Sequence, residues 1–246
     1  MIDRSEWTGR ADIHMHTNAS DGFHSVEALL EHITKLGTLD VIAITDHDVL
    51  DSSLRAYKHR DQYPFEIIPG VEVSSAVGHV LALWVTQPIA KGMSLADTVA
   101  AIHKQGGMAI LAHPFEVLVC TEAPFHYLRN PEIIREAGVD AIEIHNSGAF
   151  TPGNNILARR LAKQLNMTTV GNSDGHSLAA IGRGSTYFKG KTADDFRAAL
   201  LSGETRVEGK RWPLTDYVRL LPRLIEDKTA ALTSLGARLT QSFTSR

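Results

Sequence analysis

Asp12-Ile13-His14-Met15-His16 closes the first apolar run of the chain with two histidines in alternate positions. Alternate side chains on a strand share a face, so both imidazoles point at one spot. Apolar, β-branched runs ending in polar residues recur downstream: Val41 to Thr45, Phe65 to Val73, Val80 to Val85, Met108 to Ala112, Ala141 to Ile144, Thr168 to Gly171 and Ser185 to Phe188. Between them lie stretches of helical period, such as Val26, Leu29, Leu30, Ile33 and Leu36, or Leu95, Val99 and Ile102. Ile156, Leu157, Leu161 and Leu165 form another, as do Phe196, Leu200 and Leu201, while Gly37, Gly106 and Gly138 read as helix stops. The alternation predicts parallel βα units, and near-continuous apolar strands predict a sheet covered on both faces. Seven or eight such units predict a TIM-like barrel, in distorted form, over an open doubly wound sheet.

The whole chain fits one large domain: 246 residues, with 43% hydrophobic, 22% charged and 7% aromatic residues, are ordinary for a globular protein with a sizeable core. We place the barrel at 1–211 and a C-terminal helical extension at 212–246, packed on the barrel wall or serving an oligomer contact. A formal charge of −3 gives no net cationic field for phosphate backbones or anionic lipid. The single cysteine, Cys120, excludes an intrachain disulfide and any four-thiolate metal site, and it fits a reducing compartment. No stretch has the apolar length of a signal peptide or membrane span, so the expected location is the cytoplasm, without a membrane partner.

Histidine is the departure from average, with 12 copies. The second run ends Thr45-Asp46-His47-Asp48 and the third Pro69-Gly70-Val71-Glu72, and Ala112-His113-Pro114 and Asn172-Ser173-Asp174-Gly175-His176 close two others. In a parallel barrel all of these fall on the carboxyl-terminal rim, where active sites are built. His14 with His16, and Asp174 with His176, repeat a spacing that lets one strand present two ligands. Six imidazoles and three carboxylates exceed what one four-coordinate ion takes, which points to two or three divalent metals sharing ligands. Nitrogen and oxygen donors without thiolate suit zinc, manganese or iron.

The segments DIHMHTNASDG (12–22), ITDHD (44–48), PGVEVS (69–74), ILAHP (110–114) and GNSDGH (171–176) resemble, in order, the signature motifs of the PHP (polymerase and histidinol phosphatase) family of metal-dependent phosphoesterases. The match runs from Asp12 to about Phe188. The resemblance implies a distorted seven-stranded βα barrel with a trinuclear centre. It implies one metal on His14, His16, Glu72 and Asp174, with Glu72 bridging to a second on His79 and His113, and a third on Asp21, His47 and His176. For His79 a hydrogen-bonded structural histidine is the alternative. Some amidohydrolases also open with His-x-His but add a carboxylated lysine at a middle strand end. Here that place leads to His113 and Lys104 lies back in a helix, which disfavours amide hydrolysis.

Around these positions, Asp12 and Asp46 are candidates for accepting imidazole N–H bonds, with a plain strand-end cap as the alternative. Arg183, in a glycine-flanked loop, is a candidate phosphate grip, and His145 a candidate proton donor to a leaving group. His24 has a weaker claim of the same kind. His32, His59, His103 and His126 read as solvated, and Cys120 as incidental. The implied activity is hydrolysis of a small phosphate ester, such as a nucleotide or histidinol phosphate, by in-line attack of a metal-bound hydroxide. Nucleic acid enters only as a short oligonucleotide, through an exonuclease or oligonucleotide phosphodiesterase reading. That reading calls for a cationic groove or aromatic platform, and neither is visible in the sequence. A non-catalytic metal-binding protein is the remaining rival.

Overall fold

In a computed structural model, residues 6–117 and 123–220 are described. The chain divides into two compact units, Met1–Trp212 and Pro213–Arg246. Cys120 and most of the expected C-terminal helices lie outside the described residues. No helix among those described is long and apolar enough to cross a membrane.

The first unit is built on nine strands: β1 (Gly9–Asp12), β2 (Val41–Ile44), β3 (Glu66–Ser75), β4 (Gly78–Leu83), β5 (Met108–Leu111), β6 (Ala141–Asn146), β7 (Thr168–Asn172), β8 (Gly184–Phe188) and β9 (Arg206–Gly209). They hydrogen-bond in the order β7-β6-β5-β4-β3-β2-β1-β8-β9. The expected TIM-like, distorted barrel is what forms, but it is mixed. β1 to β3 run parallel, as do β5 to β7, whereas β4 is antiparallel to both its neighbours and β8 to both of its own. β3 and β4 are a tight hairpin, since Ser75 pairs with Gly78. Two intervening residues are too few for a helical crossover, so β4 must reverse. The fourth and eighth apolar runs are therefore strands, though not members of parallel βα units, and β9 is an addition.

Closure comes where β7, one end strand, meets β8 beside the other end strand β9, without a backbone ladder. The buried Thr186 hydroxyl donates to the Gly171 carbonyl at 3.0 Å and accepts from the Gly171 N–H at 2.9 Å. β8 approaches closely because Gly184 has no side chain: a Cβ there would lie 2.0 Å from the Asn172 carbonyl oxygen.

Helices cover the outside. α1 (Val26–Leu36) is capped by Ser25, whose hydroxyl accepts from the Ala28 N–H, and it buries Val26, Leu29, Leu30 and Ile33 as the period predicts. α2 (Asp51–Lys58) packs on β3; α3 (Leu95–Lys104), α4 (Ala123–Arg129), α5 (Ile133–Glu136), α6 (Asn154–Leu165) and α7 (Ala193–Ser202) complete the set. Gly37, Gly106 and Gly138 all take positive φ within two residues of a helix end. Leu36, Ile156 and Leu201, counted among the apolar faces, are exposed. The barrel interior holds Ala11, Ile13, Val41, Ala43, Ile68, Leu81, Ile110 and Val170 at one end, a dry plug that leaves the opposite rim for polar groups.

Candidate metal centre

The carboxyl ends of β1, β2, β3, β5, β6 and β7 share one rim. The β1 ladder stops at Asp12, earlier than the sequence pattern predicts, and the alternation slips there. Ala11 and Ile13 join the barrel interior, while Met15 packs outward with α1. Beyond the slip the chain stays extended, with Met15 bridging to Gly175, the His16 N–H bound to the Gly175 carbonyl at 2.9 Å, and the Thr45 N–H to that of Met15 at 2.9 Å. His14 and His16 thus still share the inner face. His79 arrives differently, at the first turn of an antiparallel strand: its pairing with Ser74 sets it on the face that Glu72 occupies. His113 and Asp174 have left-handed backbones, φ 24° and 50°, which swing them inward past their strand ends.

All nine expected donors converge. Fully buried Glu72 is the hub, with Oε1 at 2.9 Å from His79 Nδ1 and 3.1 Å from His113 Nε2. Its Oε2 lies 3.2 Å from His14 Nε2, 3.3 Å from His16 Nε2 and 3.1 Å from His47 Nδ1. Asp174 Oδ1 lies 3.3 Å from His14 Nε2 and 3.1 Å from His16 Nε2. Asp21 sits 2.8 Å from His176 Nε2, 3.6 Å from His16 Nδ1 and 3.7 Å from His47 Nε2. The donor atoms sort into overlapping groups with the size of ion sites: His14, His16 and Asp174; His14, Glu72 and His113; His47, Glu72 and His79; His16, Asp21, His47 and His176.

The donor set fits divalent cations. Buried polar atoms are as a rule hydrogen-bonded, yet His14 Nε2, His16 Nδ1, His79 Nδ1 and Glu72 Oε2, all in residues of these groups, are buried without a hydrogen bond. Protons partly take the place of cations in this cluster. Burial opposes the charged form of His113, but Glu72 beside it raises the imidazole to about 9; His176 is likewise raised to about 9, against burial, by Asp21. Burial also works against ionised Glu72, yet His47, His14 and His79 hold its carboxyl well below the usual carboxylate range. Burial pushes His47 down to about 4.

The three residues expected to do catalytic work are not brought into the cluster. Asp46 reaches no imidazole: it accepts from the Thr17 N–H and hydroxyl, both at 2.7 Å, from Ser20 Oγ at 2.6 Å and from Ser52 Oγ. It pins the loop that carries Asp21. Asp12 likewise binds no ring but accepts the Ser173 and Gly182 N–H groups at 3.0 and 2.9 Å; burial raises it to about 6. His145 is turned away by a bulge in β6. The register with β7 shifts between Glu143 and His145, so Asn146 takes the inward place and His145 faces Gly209. Arg183 donates to the Ala179 carbonyl at 2.9 Å and the Arg211 carbonyl at 3.2 Å, and lines a surface groove instead.

Two contributors escaped the sequence reading. Glu143, buried in β6, stands 3.1 Å from His14 Nδ1 and accepts from the His113 N–H, Asn146 Nδ2 and Asn172 Nδ2 at 2.8 to 3.0 Å. A carboxylate there favours a proton on Nδ1 and so would leave Nε2 to a cation once one is bound. A carboxylate inside the apolar run Ala141 to Ile144 was the available signal. Trp212 is the other: Nε1 donates to the Ser173 carbonyl at 2.7 Å and its ring meets His176 at 5.4 Å, edge to face. Gly148 makes room, since a Cβ there would lie 2.4 Å from the indole. Among the remaining histidines, His103 pairs with Asp140 at 2.9 Å at the surface.

A family model for the PHP domain matches residues 12–138, and a PHP-associated model matches 152–205. This chain belongs to the PHP family. The PHP protein is 27% identical over 171 residues to the uncharacterized protein MJ1587 of Methanocaldococcus jannaschii, a match covering 63% of this chain and 93% of that one. Its fold is similar to that of a two-domain Bacteroides vulgatus protein containing a predicted PHP-like metal-dependent phosphoesterase, with TM-score 0.66 and 20% identity. That likeness covers 82% of this chain and 64% of the two-domain protein. It is also similar to PfuEndoQ, a lesion-specific endonuclease from Pyrococcus furiosus, with TM-score 0.59 and 16% identity, over 81% of this chain and 57% of that one. At these identities the solved structures speak for the fold. The PHP assignment and the His, Glu and Asp clusters together mark a protein of the metal-dependent phosphoesterase family.

Proposed function

We propose that this PHP protein hydrolyses a small phosphate ester in the cytoplasm, using two or three divalent cations of zinc, manganese or iron. The observation that carries this reading is the set of overlapping His, Asp and Glu clusters at the barrel rim, in which four buried donor atoms make no hydrogen bond. His14, His16, Glu72 and Asp174 would hold one cation, Glu72, His79 and His113 a second, and Asp21, His47 and His176 a third. Bound there, the cations neutralise phosphate charge and acidify water for in-line attack. The chain supplies alignment. Glu143 fixes the His14 tautomer, Asp46 holds the Asp21 loop, and Trp212 braces Ser173 and His176. With His145 turned away, the leaving alkoxide takes its proton from solvent. Nucleotides, histidinol phosphate and the end of a short oligonucleotide are the candidate substrates.

The test is a phosphate-release screen over nucleotides, sugar phosphates and histidinol phosphate, with elemental analysis of the same preparation. Release that stops on chelation, returns with zinc, manganese or iron, and is abolished in His14→Ala and Glu72→Ala is the expected result. Full turnover by metal-free protein, or no release from any ester, overturns the reading.

A further inference from the structure

Asn146 takes the inward place that the bulge in β6 denies to His145, and its side-chain amide separates two buried carboxylates. One nitrogen, Nδ2, lies 3.0 Å from Glu143 Oε2 and 2.9 Å from Asp174 Oδ2, with one N–H for each. The amide oxygen accepts the Gly148 N–H at 2.9 Å. A flipped amide would set an oxygen against two carboxylates and an NH2 group against an N–H, so one orientation alone is satisfied. The backbone is fixed as well. Asn155, at the start of α6, accepts the Asn146 N–H through Oδ1 and donates from Nδ2 to the Asn146 carbonyl, both at 3.0 Å. Asn146 is fully enclosed, and each of its polar atoms has a partner.

The consequence falls on Asp174, whose two oxygens are divided. Oδ1 faces His14 and His16 at 3.3 and 3.1 Å and lies 3.6 Å from His176 Nδ1, while Oδ2 is held by Asn146. Glu72, the other carboxylate that His14 and His16 share, is not divided in this way and turns both oxygens to histidines. We propose that Asn146 is a positioning residue that confines Asp174 to one ligand oxygen and so keeps a coordination place on the cation for water or a substrate oxygen. The inference rests on the metal-dependent phosphoesterase reading and adds to it the residue that shapes the Asp174 ligand. A carboxylate bound through both oxygens occupies two places on an ion, whereas catalytic metal sites keep a place open. The imidazole that strict alternation puts at this position could not substitute, because neither ring nitrogen carries two N–H bonds to share between two carboxylates. The bulge thus exchanges a ring for an amide at the one place where a double donor is needed.

The probe is cobalt(II), whose visible absorption bands report the number and arrangement of its ligands, loaded into the full chain and into Asn146→Ala and Asn146→Leu. Alanine removes the amide, and leucine keeps its volume and branching without an N–H. Both variants are expected to keep the wild-type number of cobalt ions by elemental analysis and the wild-type circular dichroism. Their visible bands are expected to shift and weaken as the released Asp174 oxygen adds a ligand. Inorganic phosphate is expected to perturb the wild-type bands, and the variants to need about 10-fold more phosphate, or above, for the same change. A merely structural role for Asn146 would move the melting temperature and leave the bands of the loaded protein alone. Wild-type bands and wild-type phosphate response in both variants overturn the proposal. Loss of bound cobalt from both overturns it too, since Asn146 would then serve retention of the ions rather than the division of Asp174. Wild-type protein that binds cobalt and shows the Asn146-dependent bands but releases phosphate from no ester would sink the phosphoesterase reading while leaving the role of Asn146 standing.

Discussion

Glu143 shows how one residue can govern a cluster without joining it. Its carboxylate holds His14 through Nδ1 and His113 through the backbone, so Glu143→Gln keeps the volume while weakening the grip on the His14 tautomer. We expect roughly 10- to 100-fold weaker metal binding, read by competition with a chromophoric chelator, with the fold intact by circular dichroism. The two imidazoles raised to about 9 make a second prediction. Their folded values stand above the ordinary 6.5, so protonated His113 and His176 stabilise the metal-free protein fully below 6.5, and that contribution is lost as pH rises through about 9. Cations displace those protons. Titration calorimetry at neutral pH in two buffers of different ionisation heat should therefore show proton release on metal uptake, and its absence would contradict the shifts. Most of the clustered donors were legible because histidines and carboxylates at strand ends stand out against apolar runs, whereas Asp21 and His79 came into view only through the family motifs. Glu143 was not, because a carboxylate inside an apolar strand run signals burial without saying which group it holds.

Elements, rather than residues, decided where the sequence reading went astray. His145 stands two positions after Glu143, and strict alternation puts both on one face; a single-residue slip in β6 gives that face to Asn146. Likewise the β3 and β4 runs look like two βα units until the two-residue link between them is weighed. That reversal is what brings His79 to the rim. The segment leaving β9 is the least legible, since nothing in Arg211-Trp212-Pro213 signals a metal centre. Its role is testable: Trp212→Phe keeps an aromatic, smaller ring but removes the N–H on the Ser173 carbonyl, next to the left-handed Asp174. Leaving that carbonyl unmet costs about 1 to 3 kcal/mol. We expect a lower melting temperature and fewer bound metal equivalents by elemental analysis, with Trp212→Ala more severe; unchanged stoichiometry in both would remove Trp212 from the centre.

At the scale of the whole molecule, apolar periodicity was enough to foresee a barrel, because burying strands on both faces allows few alternatives. It did not foresee how the barrel closes, since hydroxyl contacts leave no periodic trace. Thr186→Val preserves shape but strips both hydrogen bonds from Gly171, and should lower unfolding free energy by about 2 kcal/mol in urea titration, while Thr186→Ser retains it. A ladder of backbone bonds parts only when many rungs fail together, whereas a latch made of a few threonine hydroxyls, Thr186 on Gly171 and Thr205 on Thr169, yields to the turn of single side chains. The cylinder is thus closer to a clasped cuff than a welded ring, and amide exchange should show its earliest opening along β7, directly beneath the strand end that carries Asp174 and His176.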